Sequence, residues 1–247
     1  IQVDTEAPSV DSFDIEDGAS YTIDTLISLD TTVSDALSGV DEMRASNDGV
    51  SFTDWIPFSS PISDWDLTLF GGNGDLSTNH TIHIQIRDLA GNESASTTGD
   101  IYLASHLEPS VSSIDAMFFP HTDVEITLYA GRENANQFYR LYASSSEGSE
   151  NFDGPNGSFT LDLGFDGFTQ ELINLQFDGD PFFDFAGQFD SEGKISLPIF
   201  RAAFDFLDDH MVLRDKLLFA FVLPTKAGGQ QYLGGSMTLT IPVTGLP

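Results

Sequence analysis

The phrase TIHIQIRD, residues 81 to 88, alternates strictly between apolar and polar side chains. Successive side chains of a strand point to opposite faces, so Ile82, Ile84 and Ile86 share one face and His83, Gln85 and Arg87 the other. A helix needs an apolar stripe with a period near 3.6, which this run lacks. The alternation predicts a strand buried on one side, as in a sheet covered by a second layer.

The same grammar recurs along the chain. YTIDTLISL alternates, and DEMRAS runs into Asn47-Asp48-Gly49 before VSFTDWIPF. Asn and Gly tolerate the positive φ of tight turns, so residues 38 to 55 predict a hairpin. LAGNES then supplies a turn and STTGDIYLAS a last strand. No stretch up to residue 104 has helical periodicity. Beyond it, TDVEITLYAG, QFYRLYASSSEG, SFTLDLGFDGF, LINLQFDG, GQFDSEGKISLPIF, KLLFAFVLPTKAGG and GGSMTLTIPV contain about eight strand candidates, enough for two sheets of four. IFRAAFDFLDDHMVLRD, residues 199 to 215, fits either a short helix or a strand with a loop, and the second reading suits its spacing better.

The expected fold class is all-β, with two tandem β-sandwich domains at residues 1–104 and 105–247. The triplet PSV occurs at Pro8 and again at Pro109, an offset of 101 residues, each time after a short strand-like segment. That spacing matches a sandwich domain of about 100 residues. Both Trp residues precede the boundary and 17 of 21 Phe follow it, so two separate cores are expected.

Charge narrows the partners. Against 39 acidic residues stand nine Lys and Arg, for a formal charge of -30. Phosphate backbones and anionic leaflets bind through basic residues, so nucleic acid and membrane surfaces are poor partners. No apolar run approaches the roughly 20 residues needed to cross a bilayer. With no cysteine, disulfide scaffolds, thiolate zinc sites and cysteine nucleophiles drop out. The chain opens inside a strand-like phrase, IQVDTEAP, with neither initiator Met nor signal peptide, which predicts a fragment or processed product of a larger chain.

DTEAPSV, SYTIDTLISLDTTVSDALSGVDEMRASNDGVSF and IQIRDLAGNES together resemble the bacterial immunoglobulin-like domains that occur in tandem on secreted and surface proteins. The resemblance covers about residues 1 to 104. It implies an immunoglobulin-like first sandwich, an extracellular or cell-surface location, and a spacer or adhesive role beside flanking domains of the parent protein, with no particular ligand. Residues 188 to 243 more faintly resemble a β-sandwich module of large secreted bacterial proteins, through a turn at Gly187, Phe189, Asp190 and Gly193 in which Phe stands where that module has Leu. No function attaches to that likeness.

The chemistry of the side chains points the same way. There is no G-x-S-x-G elbow and no HExxH, and His80 and His83 fall on opposite faces of one strand. Two carboxyls at glycosidase spacing would arise by chance among so many acids, so they argue for nothing. Calcium is the sharper expectation, because hard cations gather carboxylate and carbonyl oxygens from loops. Asp4, Glu6, Asp35, Asp41, Glu42 and Asp88 stand at strand ends that could converge at one pole of the first sandwich. In the second domain Asp178, Asp180 and Asp184 share the loop phrase FDGDPFFDF. The plain alternative for each acid is a solvated surface charge. Trp55 and Trp65 flank IPFSSPISD and are candidates for stacking against a glycan, while the plain reading of Trp55 is a core ring beside Phe52. A peptide or surface protein added at a free sheet edge is a further candidate partner.

Overall fold

The computed structural model describes residues 3–109, 124–144, 146, 148–154, 157–161, 163–164, 169–170, 186–199, 216–224 and 230–240. The chain divides into two units, Ile1–Ala104 and Ser105–Pro247, and the fold is all-β.

The first unit has eight strands: β1 (Ser9–Ile15), β2 (Tyr21–Thr22), β3 (Leu26–Ser34), β4 (Val40–Ser46), β5 (Ile56–Pro57), β6 (Ile62–Asp66), β7 (Thr78–Asp88) and β8 (Thr97–Leu103). They form one sheet in the order β1-β3-β6 and another in the order β2-β8-β7-β4-β5. Ile82, Ile84 and Ile86 are fully buried, while His83, Gln85 and Arg87 lie half-buried on the opposite face of β7. Ile82 and Ile84 join Ala45, Ile101 and Leu103 in packing against Ile15, Ile27, Leu29, Trp65 and Leu67 from the side of the other sheet. The large ring of this core is Trp65, 6% exposed, and not Trp55.

Strand β7 is the longest of the unit. Its first residue, Thr78, pairs with Leu103, the last residue of β8. Its last residue, Asp88, pairs with Val40 at the start of β4. Eleven residues at about 3.3 Å each separate these ends by roughly 30 to 35 Å.

The hairpin after Gly39 departs from the expected form. On its hairpin side β4 meets only Ile56–Pro57, through Glu42↔Pro57 and Met43↔Ile56. Asp48 accounts for the delay: its Oδ1 accepts the N–H groups of Val50 and Ser51 at 2.8 and 2.6 Å. Those amides face a side chain and not the ladder, so the strand resumes only after the turn closes. Two bonds between Thr53 and Ala45 tie the intervening loop to β4: the Thr53 N–H donates to the Ala45 carbonyl at 2.9 Å, and the Ala45 N–H donates to Thr53 Oγ1 at 3.3 Å.

The second unit contributes β9 (Leu107–Pro109), β10 (Val124–Tyr129), β11 (Phe138–Ser144), β12 (Glu150–Gly154), β13 (Gly157–Leu161), β14 (Ala186–Gln188), β15 (Lys194–Ile199), β16 (Lys216–Pro224) and β17 (Gln230–Thr240). The described strands form a three-stranded sheet β15-β10-β9, a four-stranded sheet β14-β11-β16-β17 and the hairpin β12-β13, where two sheets of four were expected. Ile126, Leu128, Tyr139, Leu141, Tyr142, Phe189 and Leu197 are buried, and the Tyr139 and Phe189 rings meet at 5.1 Å. The turn before β15 is closed by Asp190, whose Oδ1 accepts the N–H groups of Glu192 and Lys194 at 2.8 and 3.0 Å. The phrase LINLQFDG and residues 200–215 lie outside the described residues.

Candidate metal centre

Three segments far apart in sequence bring a carboxylate each to the Asp88 end of β7. Asp4 sits on the leading segment before β1, Asp35 directly follows β3, and Asp88 ends β7. One oxygen from each lies within 4.8 Å of the other two. Ligands on opposite sides of a calcium ion stand about 5 Å apart, given Ca–O distances of about 2.3 to 2.6 Å. A set of oxygens no wider than 4.8 Å is compatible with that span.

Local bonding aims each group. Asp4 Oδ1 accepts the Glu6 N–H at 3.0 Å and Oδ2 the Ser38 N–H at 2.9 Å. Asp35 Oδ1 accepts the N–H groups of Leu37 and Gly39 at 3.1 and 2.5 Å, an Asx turn that leads from β3 into β4. Its Oδ2 is fully buried and accepts no hydrogen bond, an arrangement that costs free energy unless a ligand is present. Asp88, only 2% exposed, accepts the Asn92 backbone and side-chain N–H groups at 2.8 Å each. Asn92 Nδ2 also reaches the Asp4 carbonyl at 3.4 Å.

Two of the groups, Asp4 and Asp88, are held toward the charged form. The Ser38 hydroxyl beside Asp4, with the Glu6 amide, holds the Asp4 carboxyl below its ordinary value against the pull of burial. Burial pushes Asp88 up, but the hydrogen bonds from Asn92, with Ser38 and Ala90 close by, outweigh it and leave its carboxyl lowered as well.

Basic side chains are scarce around this cluster. The first 104 residues contain two basic side chains other than His, Arg44 and Arg87. Arg87 pairs with Glu42 and Arg44 with Glu93 at 3.7 Å. No Lys, Arg or His among the described residues forms an ion pair with Asp4, Asp35 or Asp88.

The other candidate ligands stand elsewhere. Glu6 is exposed and contributes its backbone N–H to Asp4. Asp41 is the extra residue where the β4–β7 register shifts between Val40 and Glu42, and its side chain is exposed. That bulge sets Glu42 opposite Arg87, where its carboxylate is taken up as an ion pair. Asp178, Asp180 and Asp184 lie outside the described residues.

Both tryptophans are in use by the fold. Trp65 is buried against Phe70, ring centres 5.3 Å apart, so it is not the exposed platform that glycan stacking requires. Trp55 is half-buried on the outer face, with the guanidinium of Arg44 at 4.5 Å and that of Arg87 at 4.6 Å from its ring centre. Arg44 also lies 4.8 Å over Phe52, and both its Nε and its Nη2 donate to Gln85. This stack clamps the loop ahead of β5 to the sheet. Sequence reasoning missed it, although Arg44, Gln85 and Arg87 all alternate onto the solvent face.

No family profile matches the chain, and no curated protein matches it. Among solved structures it is similar to the chitinase ChiA74 from Bacillus thuringiensis, with 18% identity, 79% of this chain and 27% of that one covered, and a TM-score of 0.28. It is also similar to the D00-D0 domain of intimin, with 9% identity, 95% and 96% covered, and a TM-score of 0.28. A third likeness is to a 1.5-MDa bacterial ice-binding adhesin, with 11% identity, 96% and 66% covered, and a TM-score of 0.30. The chain thus spans about a quarter of the chitinase. Likenesses of this degree carry no inference about shared activity.

Proposed function

We propose that this chain is a non-catalytic extracellular module of a larger bacterial surface or secreted protein, with its first sandwich acting as a spacer stiffened by calcium. The observation that carries the reading is the placement of the chain's path at the two ends of β7. The leading segment lies at the Asp88 end through Asp4, and the chain leaves at the Thr78 end through Leu103 and Ala104. A domain threaded from pole to pole adds its full length to a linear array, which is what a spacer does. Strong negative charge suits a salty exterior, where screening weakens self-repulsion and divalent cations abound.

Calcium belongs to this reading through Asp4, Asp35 and Asp88, which bring three carboxylate oxygens together and include a buried Asp35 oxygen that accepts no hydrogen bond. Thermal unfolding of the 247-residue chain in EDTA, in millimolar magnesium and in millimolar calcium at equal ionic strength tests it. A calcium-specific rise of several degrees is expected, because a ligand that binds only the native state stabilises it by mass action. Superimposable curves would remove the cation from the reading. Specific retention of the chain on a glycan array would overturn the spacer role in favour of carbohydrate recognition.

A further inference from the structure

We propose that the cation works as a latch, holding the leading segment Val3–Ala7 onto the pole of the first sandwich and releasing it when the ion leaves. This rests on the calcium reading above and adds which part of the molecule responds.

The three ligands are unequal in how they are anchored. Asp35 follows β3, whose Ile27 and Leu29 are buried in the core. Asp88 ends β7, whose Ile82, Ile84 and Ile86 are fully buried. The two therefore come from opposite sheets and are fixed by the same core. Asp4 has no such support: Val3, Thr5, Glu6 and Ala7 around it are exposed. Its ties to the rest of the domain are the Ser38 N–H to Oδ2 at 2.9 Å and the long contact from Asn92 to its carbonyl.

Electrostatics then decides the state of the segment. Without a cation, three like charges within 4.8 Å of one another repel, and the one on the least anchored segment moves first. With a cation, the same three groups attract a common centre. The Asp35–Asp88 pair is the standing half of the site and Asp4 the closing half. By linkage, fixing the segment and binding the ion strengthen each other equally.

Residue-resolved amide hydrogen exchange on the full chain tests this. The Ser38 N–H reports Asp4, while the Leu37 and Asn92 N–H groups report Asp35 and Asp88. At calcium of about ten times Kd, Ser38 exchange should slow about tenfold relative to EDTA, with smaller changes at Leu37 and Asn92. In Asp4→Asn, calcium should bind more weakly and the selective slowing at Ser38 should vanish. Affinity is measured separately by competition with a chromophoric chelator. Binding with no selective change at Ser38, or with the same slowing in Asp4→Asn, overturns the latch and leaves the site standing. No binding by the unmodified chain overturns both.

Discussion

The Trp65 indole N–H donates to the Asn47 carboxamide oxygen at 2.8 Å. The nitrogen of the same carboxamide donates to the carbonyls of Asp66 and Leu69 at 2.9 and 2.7 Å. One side chain in the turn after β4 thereby fixes the core ring and the loop that follows it. Asn47→Ala is expected to lower stability by about 1 to 3 kcal/mol, since it strands a buried indole donor and two carbonyls. Urea unfolding monitored by tryptophan fluorescence reads the change.

The two tryptophans should respond very differently to truncation. Trp65→Ala empties part of the core and should cost about 3 to 5 kcal/mol. Trp55→Ala loosens only the clamp made with Arg44 and Arg87 and should lower Tm by several degrees. Equal losses in calorimetry would reverse the assignment of the core ring.

Acid should weaken the first domain in a traceable way. Amides of Ser51 and Val50, with the hydroxyls of Ser46 and Ser51, hold the Asp48 carboxyl far below its ordinary value. A carboxyl lowered in the folded state stabilises that state above its unfolded pKa and loses the effect as pH falls through the folded value. Asp4, Asp66 and Asp88 are lowered in the same direction. The Tm should therefore fall as pH drops from about 5 to about 2, and Asp48→Asn should start lower at neutral pH and fall less steeply.

In the second unit Gly193 is the sensitive position. Its φ is +78°, and a Cβ there would stand 2.0 Å from the Gly131 carbonyl oxygen. Gly193→Ala should cost more than about 1 kcal/mol through backbone strain and displacement of that carbonyl. Gly91, with φ +90° but open space around it, is the matched control for strain alone, and denaturant midpoints of the two variants separate the contributions.

The strands were legible where one face is buried and the other wet. TIHIQIRD reads directly as β7 because its isoleucines must avoid water while His83, Gln85 and Arg87 need not. The turn at Asp190 to Gly193 was legible for a similar reason, since Asp and Gly each supply what the chain needs there. The span after Asn47 was not, because Asp48 draws the next amides to itself and postpones β5 beyond Trp55. Sequence named six acids at strand ends of the first domain but could not choose among them. Glu42 was removed by a bulge at Asp41 that puts it opposite Arg87, a matter of register and not of residue type. Which ring fills the core was equally hidden, as Trp55 and Trp65 differ by the placement of two arginines and one asparagine.

The course of the chain along β7 also fixes how tension would travel. β1 begins near the Asp88 end with its ladder to β3 beside it, and β8 finishes at the Thr78 end against β7. A pull on the two termini of the domain draws its first and last strands along their own axes. Antiparallel ladder bonds lie perpendicular to the strands, so they are sheared together instead of unzipped one at a time. The domain should then resist stretching up to a single abrupt rupture, with β1 and β8 carrying the load.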